Sequence, residues 1–503
     1  IFFYRPNRTG LRGIPSDRRI LGNKWVLKKK KNGVYRARLV ALGYHQIPGI
    51  DHEDNFAPVI NETTFRIILM LMMKNNLKAE IVDIETAFLY GNLEEEIFMK
   101  QPQGLEYMGK ENNMNNEDAL ILKQSIYGLV QAARQFFKKL RDVLIEKMGF
   151  EKCLIDQCLL SRKGESGILI ICLYIDDTMI VGNETEIKNF KEEIKKHFET
   201  KEEGEMKDYV GCMINKKKDE IFLHQTDLIE KLEREFGEEL KEIKEVKTPA
   251  IAGEGIIMTK DKETIEDKTK HTKYRSGVGM LLFLVKYSRP DISNAVRELS
   301  KANLGPNPAH YKKLLRTMKY VIKSKQKALY YRITEKDKNE KKWKVQAFGD
   351  SDFAGDKDKR LSVTGFCIYI YGCLVSWKSH GQKIVALSST EAEYIAISEL
   401  CAEILLIRSI LEFLEIKTEL PITVHCDNIG AIYLGNNAKL SQRTKHIDVK
   451  HHFVREYIEK GLIKIVFVKS EENDADIWTK NVKQETYNKH TSKFMRDMIN
   501  KEK

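Results

Sequence analysis

Two adjacent carboxylates, Asp176 and Asp177, interrupt an otherwise apolar stretch of the chain. The apolar run 168–175 before them predicts a buried strand, and 179–181 after them predicts a second one. We therefore expect a hairpin with its turn at the acid pair. Two like charges at such a turn raise each other's pKa unless a cation lies beside them, and a divalent ion bound by carboxylate oxygens meets that need. A plain Asp-Asp turn is the alternative.

A third carboxylate, Asp83, lies at the end of a predicted strand that begins at Ala79, and Phe88 follows five residues later. An aspartate at a strand end often does no more than cap the next turn. Together with Asp176 and Asp177, however, Asp83 would complete a set of oxygen ligands for a divalent ion. We refer to these three residues as the hairpin acids.

Four more acidic positions follow predicted strands or begin a helix in the C-terminal third of the chain. They are Asp350, Glu391 or Glu393, Asp427 and Asp476. Four carboxylates at one sheet edge can hold two Mg²⁺ ions about 3.5–4 Å apart, which directs water onto a phosphodiester. The alternative for both glutamates is helix capping, because Ser388 and Thr390 each lie three residues before one of them. Asp427 could likewise cap its helix.

The elements that must position these acids follow from the apolar periodicity and the turn residues. Basic strands on either side of Asn32-Gly33 predict a hairpin, which could bind phosphate or could be a solvated edge. Thr63 or Thr64 would cap a buried helix, and Gly237 would end a helix. Further predicted helices cover 184–199, 274–325 in two or three pieces, and 388–414; predicted strands cover 208–214, 221–224, 345–350, 362–371, 372–377, 421–427 and 463–468.

Length and composition predict a folded protein with a polyanionic partner. The 503 residues are enough for about three domains. The net charge of +12 suits nucleic acid or an anionic membrane. Eight cysteines without a CxxC pair predict reduced thiols of an intracellular protein. No apolar stretch reaches the ~18 residues of a membrane span, and no signal peptide is recognisable. Because the chain opens on Ile1, we expect a fragment of a longer polypeptide.

Ordered sequence blocks resemble one family over roughly residues 20–480. The blocks are Lys-Trp-Val (24–26), Arg-Ala-Arg-Leu-Val-Ala (36–41), Phe-Ala-Pro-Val (56–59), Asp-x-x-Thr-Ala-Phe-Leu (83–89), Tyr-Gly-Leu-x-Gln (127–131), Tyr-Ile-Asp-Asp (174–177), Ser-Arg-Pro-Asp-Ile (288–292), Ser-Ser-Thr-Glu-Ala-Glu-Tyr (388–394) and Asn-Asp-Ala-Asp-Ile-Trp-Thr-Lys (473–480). The chain resembles the reverse transcriptase–ribonuclease H region of the Pol polyprotein of copia-type LTR retrotransposons.

The resemblance implies an α+β and α/β multidomain fold: a right-hand polymerase with fingers, palm and thumb, followed by a mixed-sheet ribonuclease H-like domain. The implied segments are a truncated N-terminal segment (1–22), fingers and palm (23–250), a linker with a helical thumb or connection (251–342), the ribonuclease H-like domain (343–485) and a C-terminal tail (486–503).

The resemblance also implies a role for each candidate residue. The hairpin acids would be the polymerase metal ligands, and Asp350, Glu393, Asp427 and Asp476, here called the C-terminal acids, the nuclease ligands. Glu393 fits the family frame better than Glu391. Phe88 would exclude a ribose 2′-OH, whereas Gln131 and Arg38, or almost equally Arg36, would contact the incoming nucleotide. The family pattern changes at Val130, Ala133 and Phe353.

The implied activity is RNA-directed DNA polymerisation with hydrolysis of RNA in RNA–DNA hybrids. Two Mg²⁺ ions per site, with Mn²⁺ as a substitute, would be the cofactors. RNA template, DNA primer, hybrid and deoxynucleoside triphosphates would be the partners, in an intracellular, cytoplasmic setting such as a virus-like particle, without a membrane. An inert nucleic-acid-binding remnant and a nuclease alone are the alternatives; oligomeric state and priming stay open.

Overall fold

The computed structural model describes residues 3–4, 18–29, 33–104, 119–258, 264–436 and 448–499. The chain forms two compact units, one made of 1–61 with 78–206 and the other of 62–77 with 207–503. Helices and sheets occur in both units. The predicted mixed α/β class is therefore confirmed.

The described residues form twenty-two strands and thirteen α-helices, besides a few short 3-10 and π-helical turns. The strands are β1 (Phe3–Tyr4), β2 (Ile20–Leu21), β3 (Asn23–Lys29), β4 (Tyr35–Ala41), β5 (Lys78–Ile84), β6 (Phe98–Lys100), β7 (Ala119–Leu122), β8 (Glu151–Lys152), β9 (Leu159–Gly164), β10 (Gly167–Tyr174), β11 (Asp177–Gly182), β12 (Thr200–Glu205), β13 (Asp208–Tyr209), β14 (Cys212–Lys217), β15 (Glu220–His224), β16 (Lys327–Arg332), β17 (Val345–Asp352), β18 (Val363–Ile370), β19 (Cys373–Gly381), β20 (Ile422–Cys426), β21 (Ile463–Phe467) and β22 (Met495–Asp497).

The helices are α1 (Glu62–Asn75), α2 (Ala132–Asp142), α3 (Glu184–Ile194), α4 (Thr226–Leu240), α5 (Lys268–Tyr287), α6 (Ser293–Ser300), α7 (Pro308–Lys323), α8 (Glu335–Asn339), α9 (Ser389–Phe413), α10 (Ile429–Asn436), α11 (Asp448–Glu459), α12 (Asp476–Thr479) and α13 (Gln484–Thr491). None of them is both long and apolar enough to cross a membrane.

The first unit is organised around a six-stranded sheet in the order β12-β5-β11-β10-β9-β8. All its pairs are antiparallel, and the apolar residues 169–173 of β10 are buried. A second sheet has the order β1-β7-β6-β2, and β3 pairs with β4 in a separate, mostly exposed hairpin. The six-stranded sheet therefore supplies the rigid backbone on which the hairpin acids lie.

The second unit contains two five-stranded sheets and a cluster of helices. One sheet has the order β13-β14-β15-β16-β22 and the other β19-β18-β17-β20-β21, in which β17, β20 and β21 run parallel. Helices α4 to α7 share an apolar core that includes Leu232, Phe236, Leu281 and Leu314. The long helix α9 packs on β17 and β18, because its face from Ala392 onward is apolar and buried.

Helix α1 belongs to the second unit although strands of the first unit precede and follow it. The guanidinium of Arg66 lies 3.7 Å from the centroid of the Trp377 ring, and it donates hydrogen bonds to the carbonyl oxygens of Val375 and Lys286. Lys74 donates to the carbonyl oxygens of residues 337, 338 and 340. Buried polar anchors of this kind attach α1 firmly to the C-terminal half of the chain.

Several predicted boundaries differ from the structure. Helix α1 begins at Glu62, so neither Thr63 nor Thr64 caps it from outside; both lie buried in its first turn. Helix α4 passes Gly237 and ends at Leu240, because Leu240 continues its buried apolar face. The predicted helix 184–199 ends at Ile194.

Two predicted strands also have different limits. The segment 208–214 breaks into β13 and β14, because Val210 and Gly211 both have positive φ angles. The predicted strand 372–377 extends as β19 to Gly381. Asn32 of the predicted basic hairpin and the loop 109–118 lie outside the described residues.

The C-terminal residues 486–499 do not form a separate tail. Helix α13 buries Tyr487 against the core of α4 to α7, and β22 pairs with β16. The hydroxyl of Tyr487 donates to the carboxylate of Asp291, which also binds the guanidinium of Arg289. These contacts make the C-terminal segment a part of the second unit. All eight cysteines are buried, and none of them pairs in a disulfide.

Candidate active sites

Backbone pairing in the six-stranded sheet brings the hairpin acids together. In the β10–β11 hairpin Tyr174 pairs with Asp177, so Ile175 and Asp176 form a two-residue turn. On the other side of β11, Asp177 is the Cα partner of Asp83 in β5. Directly paired residues of antiparallel strands place their side chains on the same face of a sheet. The predicted turn at the acid pair is thus displaced by one residue, with Asp177 already in the strand.

The hairpin turn contains a strained residue. Ile175 has a φ angle of 56°, a conformation that is costly for a β-branched side chain by about 1–3 kcal/mol. Its side chain is exposed, whereas Asp176 and Asp177 are half-buried. The two neighbouring strands, with a buried apolar run on each side, hold the turn in this conformation. Strain of this kind is typical of turns that present a functional group.

Phe88 and Arg38 share one aromatic partner. The ring of Phe88 lies 5.1 Å from that of Tyr127 and 6.5 Å from that of Phe136. The guanidinium of Arg38 lies over the Tyr127 ring at 4.4 Å. Arg36 is exposed and pairs with Lys28 in the β3–β4 hairpin. The structure therefore brings Arg38, and not Arg36, to the cluster that contains Phe88.

Gln131 is fully buried, and its amide has partners within the protein. Its Nε2 donates to the carbonyl oxygen of Asp51 at 2.9 Å, and its Oε1 accepts from Nε2 of Gln46 at 3.0 Å. Gln46 in turn accepts from the backbone N–H of Val130 at 2.8 Å. In this arrangement Gln131 joins the segment 46–51 to the start of α2.

The C-terminal acids come from four different elements of one sheet layer. Asp350 lies near the end of β17, Glu393 in the second turn of α9, Asp427 directly after β20, and Asp476 at the start of α12. Oxygen atoms of Glu393 and Asp427 and the sulfur of Cys426 all lie within 4.8 Å of one another. Among the described residues, Asp350 and Asp476 do not belong to this tight group, and the hairpin acids form no such group.

A close backbone approach brings Asp476 to this site. Gly365 of β18 is the Cα partner of Asp350, and a Cβ atom at this position would lie 2.6 Å from a methyl group of Thr479. The absence of a side chain lets α12 pack directly on β18. Thr479 then donates a hydrogen bond from its hydroxyl to the carboxylate of Asp350.

Burial and mutual repulsion raise the pKa of two C-terminal acids. Burial, followed by the charge of Asp476, raises the pKa of Asp350 to about 7. Burial, followed by the charges of Asp350 and Asp427, raises the pKa of Glu393 to about 9. Carboxylates that raise each other's pKa in a buried site are typical of a functional centre that a cation completes.

The contacts of the candidate residues differ at the two ambiguous positions. Glu391 accepts a hydrogen bond from the backbone N–H of Leu387 at 2.7 Å, which is a capping contact, whereas Glu393 accepts from Ser351 at 3.0 Å and faces the other acids. After β20 the helix-capping contact comes from Asn428, whose Oδ1 accepts from the N–H of Ala431. Asp427 instead accepts from the hydroxyl of Ser470.

Comparison with known proteins shows what the chain is similar to. Residues 9–252 match the family described as reverse transcriptase (RNA-dependent DNA polymerase). This chain contains a reverse transcriptase-family domain. The predicted resemblance to copia-type Pol polyproteins is confirmed by the relatives described next.

Retrovirus-related Pol polyproteins align with almost the whole chain. The chain is 35% identical over 480 residues to the one from transposon TNT 1-94 of Nicotiana tabacum, which covers 93% of this chain and 35% of that relative. It is 32% identical over 486 residues to the one from transposon RE1 of Arabidopsis thaliana, covering 95% of this chain and 32% of the relative. The Transposon Ty1-DR6 Gag-Pol polyprotein of Saccharomyces cerevisiae is 22% identical over 499 residues, which is 95% of this chain and 27% of the relative. The chain therefore spans about a third of the length of the curated relatives from plants.

Sequence reasoning missed four polar residues that hold the C-terminal acids of this Pol-like chain in place. They are Ser351, Ser470, Thr479 and Lys480. The ammonium of Lys480 lies 2.9 Å from Oδ1 of Asp476. Thr479 and Lys480 lie inside the family-like block 473–480, and this position could have indicated that they contact the acids. Ser351 and Ser470 carried none, because their contacts depend on the tertiary fold.

The two acid sets of the Pol-like chain differ in how well they fit a divalent ion. Both offer carboxylate oxygens, the donors that Mg²⁺ prefers. At the C-terminal acids the buried Oδ1 of Asp476 has the ammonium of Lys480 beside it at 2.9 Å. One ammonium group does not balance four carboxylates. The donor set, its burial and its excess negative charge therefore fit Mg²⁺.

Proposed function

We propose that the chain is an RNA-directed DNA polymerase with a second site that hydrolyses the RNA strand of RNA–DNA hybrids. The observation that carries the proposal is the pairing of Asp83 with Asp177 beside the Asp176 turn, inside a reverse transcriptase-family domain. On this proposal the first unit supplies the fingers and palm, and residues 343–485 form a ribonuclease H-like domain.

Bound Mg²⁺, or Mn²⁺ in its place, would activate the attacking oxygen and neutralise charge on the phosphoryl group at each site. Asp83, Asp176 and Asp177 would hold the ions at the polymerase site. Arg38, fixed against Tyr127, would bind the triphosphate of the incoming nucleotide, since a guanidinium matches phosphate oxygens. Phe88, held against the same ring, would exclude a ribose 2′-OH.

Gln131 would act at the polymerase site through its neighbours. Its buried amide fixes Asp51 and Gln46, and Gln46 fixes the N–H of Val130. We therefore propose that Gln131 is a positioning residue, which shapes the nucleotide site from behind and does not itself touch the nucleotide. The proposed substrates are deoxynucleoside triphosphates on an RNA template with a DNA primer, in the cytoplasm of the host cell or within a virus-like particle.

The C-terminal acids would hold the ions of the nuclease site. Ser351 fixes the carboxylate of Glu393, and Ser470 fixes that of Asp427, so both groups are oriented before a metal binds. Lys480 keeps Asp476 paired and limits the charge of the empty cluster. The chain's own part in hydrolysis is thus to hold the carboxylates of Glu393 and Asp427 in fixed orientations.

Two assays with matched variants test the proposal. Wild type should extend a primer on a poly(rA)/oligo(dT) template, and Asp176→Asn should abolish extension while hybrid cleavage persists. Wild type should also cleave RNA in a hybrid, and Asp427→Asn should abolish cleavage while extension persists. Failure of wild type in both assays would identify an inert remnant, and cleavage without extension would leave a nuclease alone.

A further inference from the structure

The loop that carries Asp476 is bound to the strand that carries Asp350. The buried side chain of Asn473 donates a hydrogen bond from Nδ2 to the carbonyl oxygen of Gly349 at 3.0 Å, and Gly349 directly precedes Asp350. The backbone N–H of Asp476 donates to the carbonyl oxygen of Asn473 at 3.2 Å. The position of Asp476 relative to Asp350 therefore depends on how residues 473–476 are held.

The next residue of this loop, Asp474, is buried and has two partners in the C-terminal segment 484–497. Its Oδ1 accepts a hydrogen bond from Nδ1 of His490 at 2.7 Å and lies 2.6 Å from the ammonium of Lys493. His490 is fully buried in the last turn of α13. Its Nε2 has no hydrogen-bond partner among the described residues, so the ring is oriented through Nδ1.

The C-terminal segment also contacts the chain on the other side of Asp476. The buried rings of Trp478 in α12 and Phe494 stack with an interplanar angle of 30° and with centroids 5.6 Å apart. The segment is itself fixed, because Tyr487 packs in the core of α4 to α7 and β22 pairs with β16. Asp476 therefore lies between two contacts to a segment that has its own anchors in the second unit.

The cluster of Asp474, His490 and Lys493 specifies orientation more than it adds stability. A well-packed apolar side chain of similar volume often stabilises a protein as much as a buried ion pair does, because the ion pair loses its hydration. A hydrogen bond from a buried imidazole to a carboxylate, by contrast, is strong only over a limited range of directions. The cluster is thus suited to holding the loop 473–476 in one conformation.

We propose that His490 and Lys493 are positioning residues of the nuclease site, which act on Asp476 through Asp474. By holding Asp474, they keep the loop of Asp476 on β17, where Asp350 lies. The inference rests on the proposed nuclease function and deepens it. It extends the machinery of that site beyond residue 485, into a segment that contains none of the four acids.

Two substitutions of His490 separate the hydrogen bond from the packing. In His490→Asn the amide nitrogen takes nearly the position of Nδ1, so the contact to Asp474 is kept although volume is lost. In His490→Leu most of the volume is kept and the donor is lost. Lys493→Met keeps the stem of a partly exposed side chain and removes its charge, so it provides a test even if His490→Leu does not fold. Thermal unfolding of each full-length variant verifies that it folds.

Steady-state cleavage of an RNA–DNA hybrid is the first measurement. Partners that orient metal ligands contribute about 10–100-fold to metal affinity or activity, so His490→Leu should lower kcat about tenfold or more, with KM for the hybrid within about twofold of wild type. Lys493→Met should lower kcat about fivefold, and His490→Asn should stay within about threefold of wild type. Primer extension should be unchanged in all three variants.

Ion binding gives a second measurement that does not depend on cleavage. In the Asp176→Asn background, which lacks one of the hairpin acids, the rise in melting temperature on addition of Mg²⁺ reports chiefly on the C-terminal acids. His490→Leu and Lys493→Met should reduce this rise at a given Mg²⁺ concentration. His490→Asn should keep it.

The matched control is His310→Leu. His310 is also buried in the second unit, and its Nδ1 also makes a hydrogen bond, which it accepts from the backbone N–H of Asn307. This variant should lower the melting temperature without changing the response to Mg²⁺ or the rate of hybrid cleavage.

The results separate this inference from the nuclease function itself. If wild type cleaves and the His490→Leu and Lys493→Met variants match it in rate and in Mg²⁺ response, the positioning role is wrong and the nuclease stands. Equal losses in His490→Leu and His490→Asn, or in the His310→Leu control, would show a packing effect and would also overturn the role. If wild type does not cleave but His490→Leu still loses the Mg²⁺ response that His490→Asn keeps, the nuclease is wrong and the positioning of an ion site stands. Absence of both cleavage and this difference would overturn both proposals.

Discussion

The hairpin acids and the C-terminal acids offer the same chemical groups in contrasting settings. The hairpin acids lie on paired strands of one sheet and are half-buried, so backbone pairing alone sets their positions. The C-terminal acids come from four elements, and burial with mutual repulsion raises the pKa of Asp350 and Glu393. The first set is positioned by strand pairing within one sheet, whereas the second depends on the packing of four elements and carries an electrostatic cost until a cation binds.

The largest expected effect distinguishes Glu393 from Glu391 as the metal ligand among the C-terminal acids. Glu393→Gln should reduce hybrid cleavage on the order of 10³-fold, because it removes an anionic metal ligand worth several kcal/mol. Glu391→Gln removes only a capping contact to Leu387 and should leave the cleavage rate within about threefold of wild type. Single-turnover cleavage of a labelled hybrid measures both. Equal losses in the two variants would contradict the distinction.

A second prediction concerns helix α1, which joins the reverse transcriptase-family sequence to the second unit. Arg66→Ala removes the stacking on Trp377 and leaves the carbonyl oxygens of Val375 and Lys286 without their donor. We expect a loss of about 3 kcal/mol in the free energy of unfolding, measured by urea denaturation.

The control for Arg66 is Arg408→Ala, because Arg408 forms an i,i+4 pair with Glu412 on the surface of α9. Such pairs contribute about 0.3–0.5 kcal/mol. A loss at Arg66 no larger than that at Arg408 would show that α1 is not anchored in the second unit.

The third prediction tests the electrostatic contrast directly. In EDTA at pH 8, Asp350→Asn should stabilise the protein by about 2 kcal/mol, because it removes a carboxylate whose charge is costly in the folded state. In the folded state the pKa of Asp350 is raised from 3.8 to about 7. Ionisation of Asp350 therefore lowers the free energy of unfolding of the wild type from about pH 4 upward, and the loss is complete above pH 7. The gain of the variant should follow the same window.

Differential scanning fluorimetry at several pH values measures this gain. Asp176→Asn is the matched variant in the half-buried hairpin set and should give no comparable stabilisation. Added Mg²⁺ should raise the melting temperature of wild type more than that of Asp350→Asn. A pH-independent difference would contradict the proposed cause.

The sequence predicted the elements better than their packing. The two apolar runs predicted the β10–β11 hairpin. The strand that contains Asp83 was also predicted, because both signals are local. By contrast, the apolar residues 65–73 predicted a buried helix but not its association with residues 207–503. That association depends on Arg66 and on partners more than 200 residues away.

At the C-terminal acids, local patterns left the roles ambiguous for a physical reason. Glu391 and Glu393 both follow a hydroxyl residue by three positions, so both satisfy the same capping pattern. Only the direction of each side chain in the folded helix separates them. Gly365 had no local signal at all, since its importance comes from the close approach of Thr479 in another element.

The smallest expected effect concerns Gln131 and tests how this residue acts at the proposed polymerase site, which contains the hairpin acids. If Gln131 is a positioning residue, its effect should pass through Gln46. Each single change to alanine should then raise KM for the deoxynucleotide, and the double variant should be little worse than either. A coupling energy of about 1 kcal/mol is expected from primer-extension kinetics, because the two amides share one hydrogen bond. If the two effects are instead additive, Gln131 acts independently of Gln46, as a direct contact to the nucleotide requires.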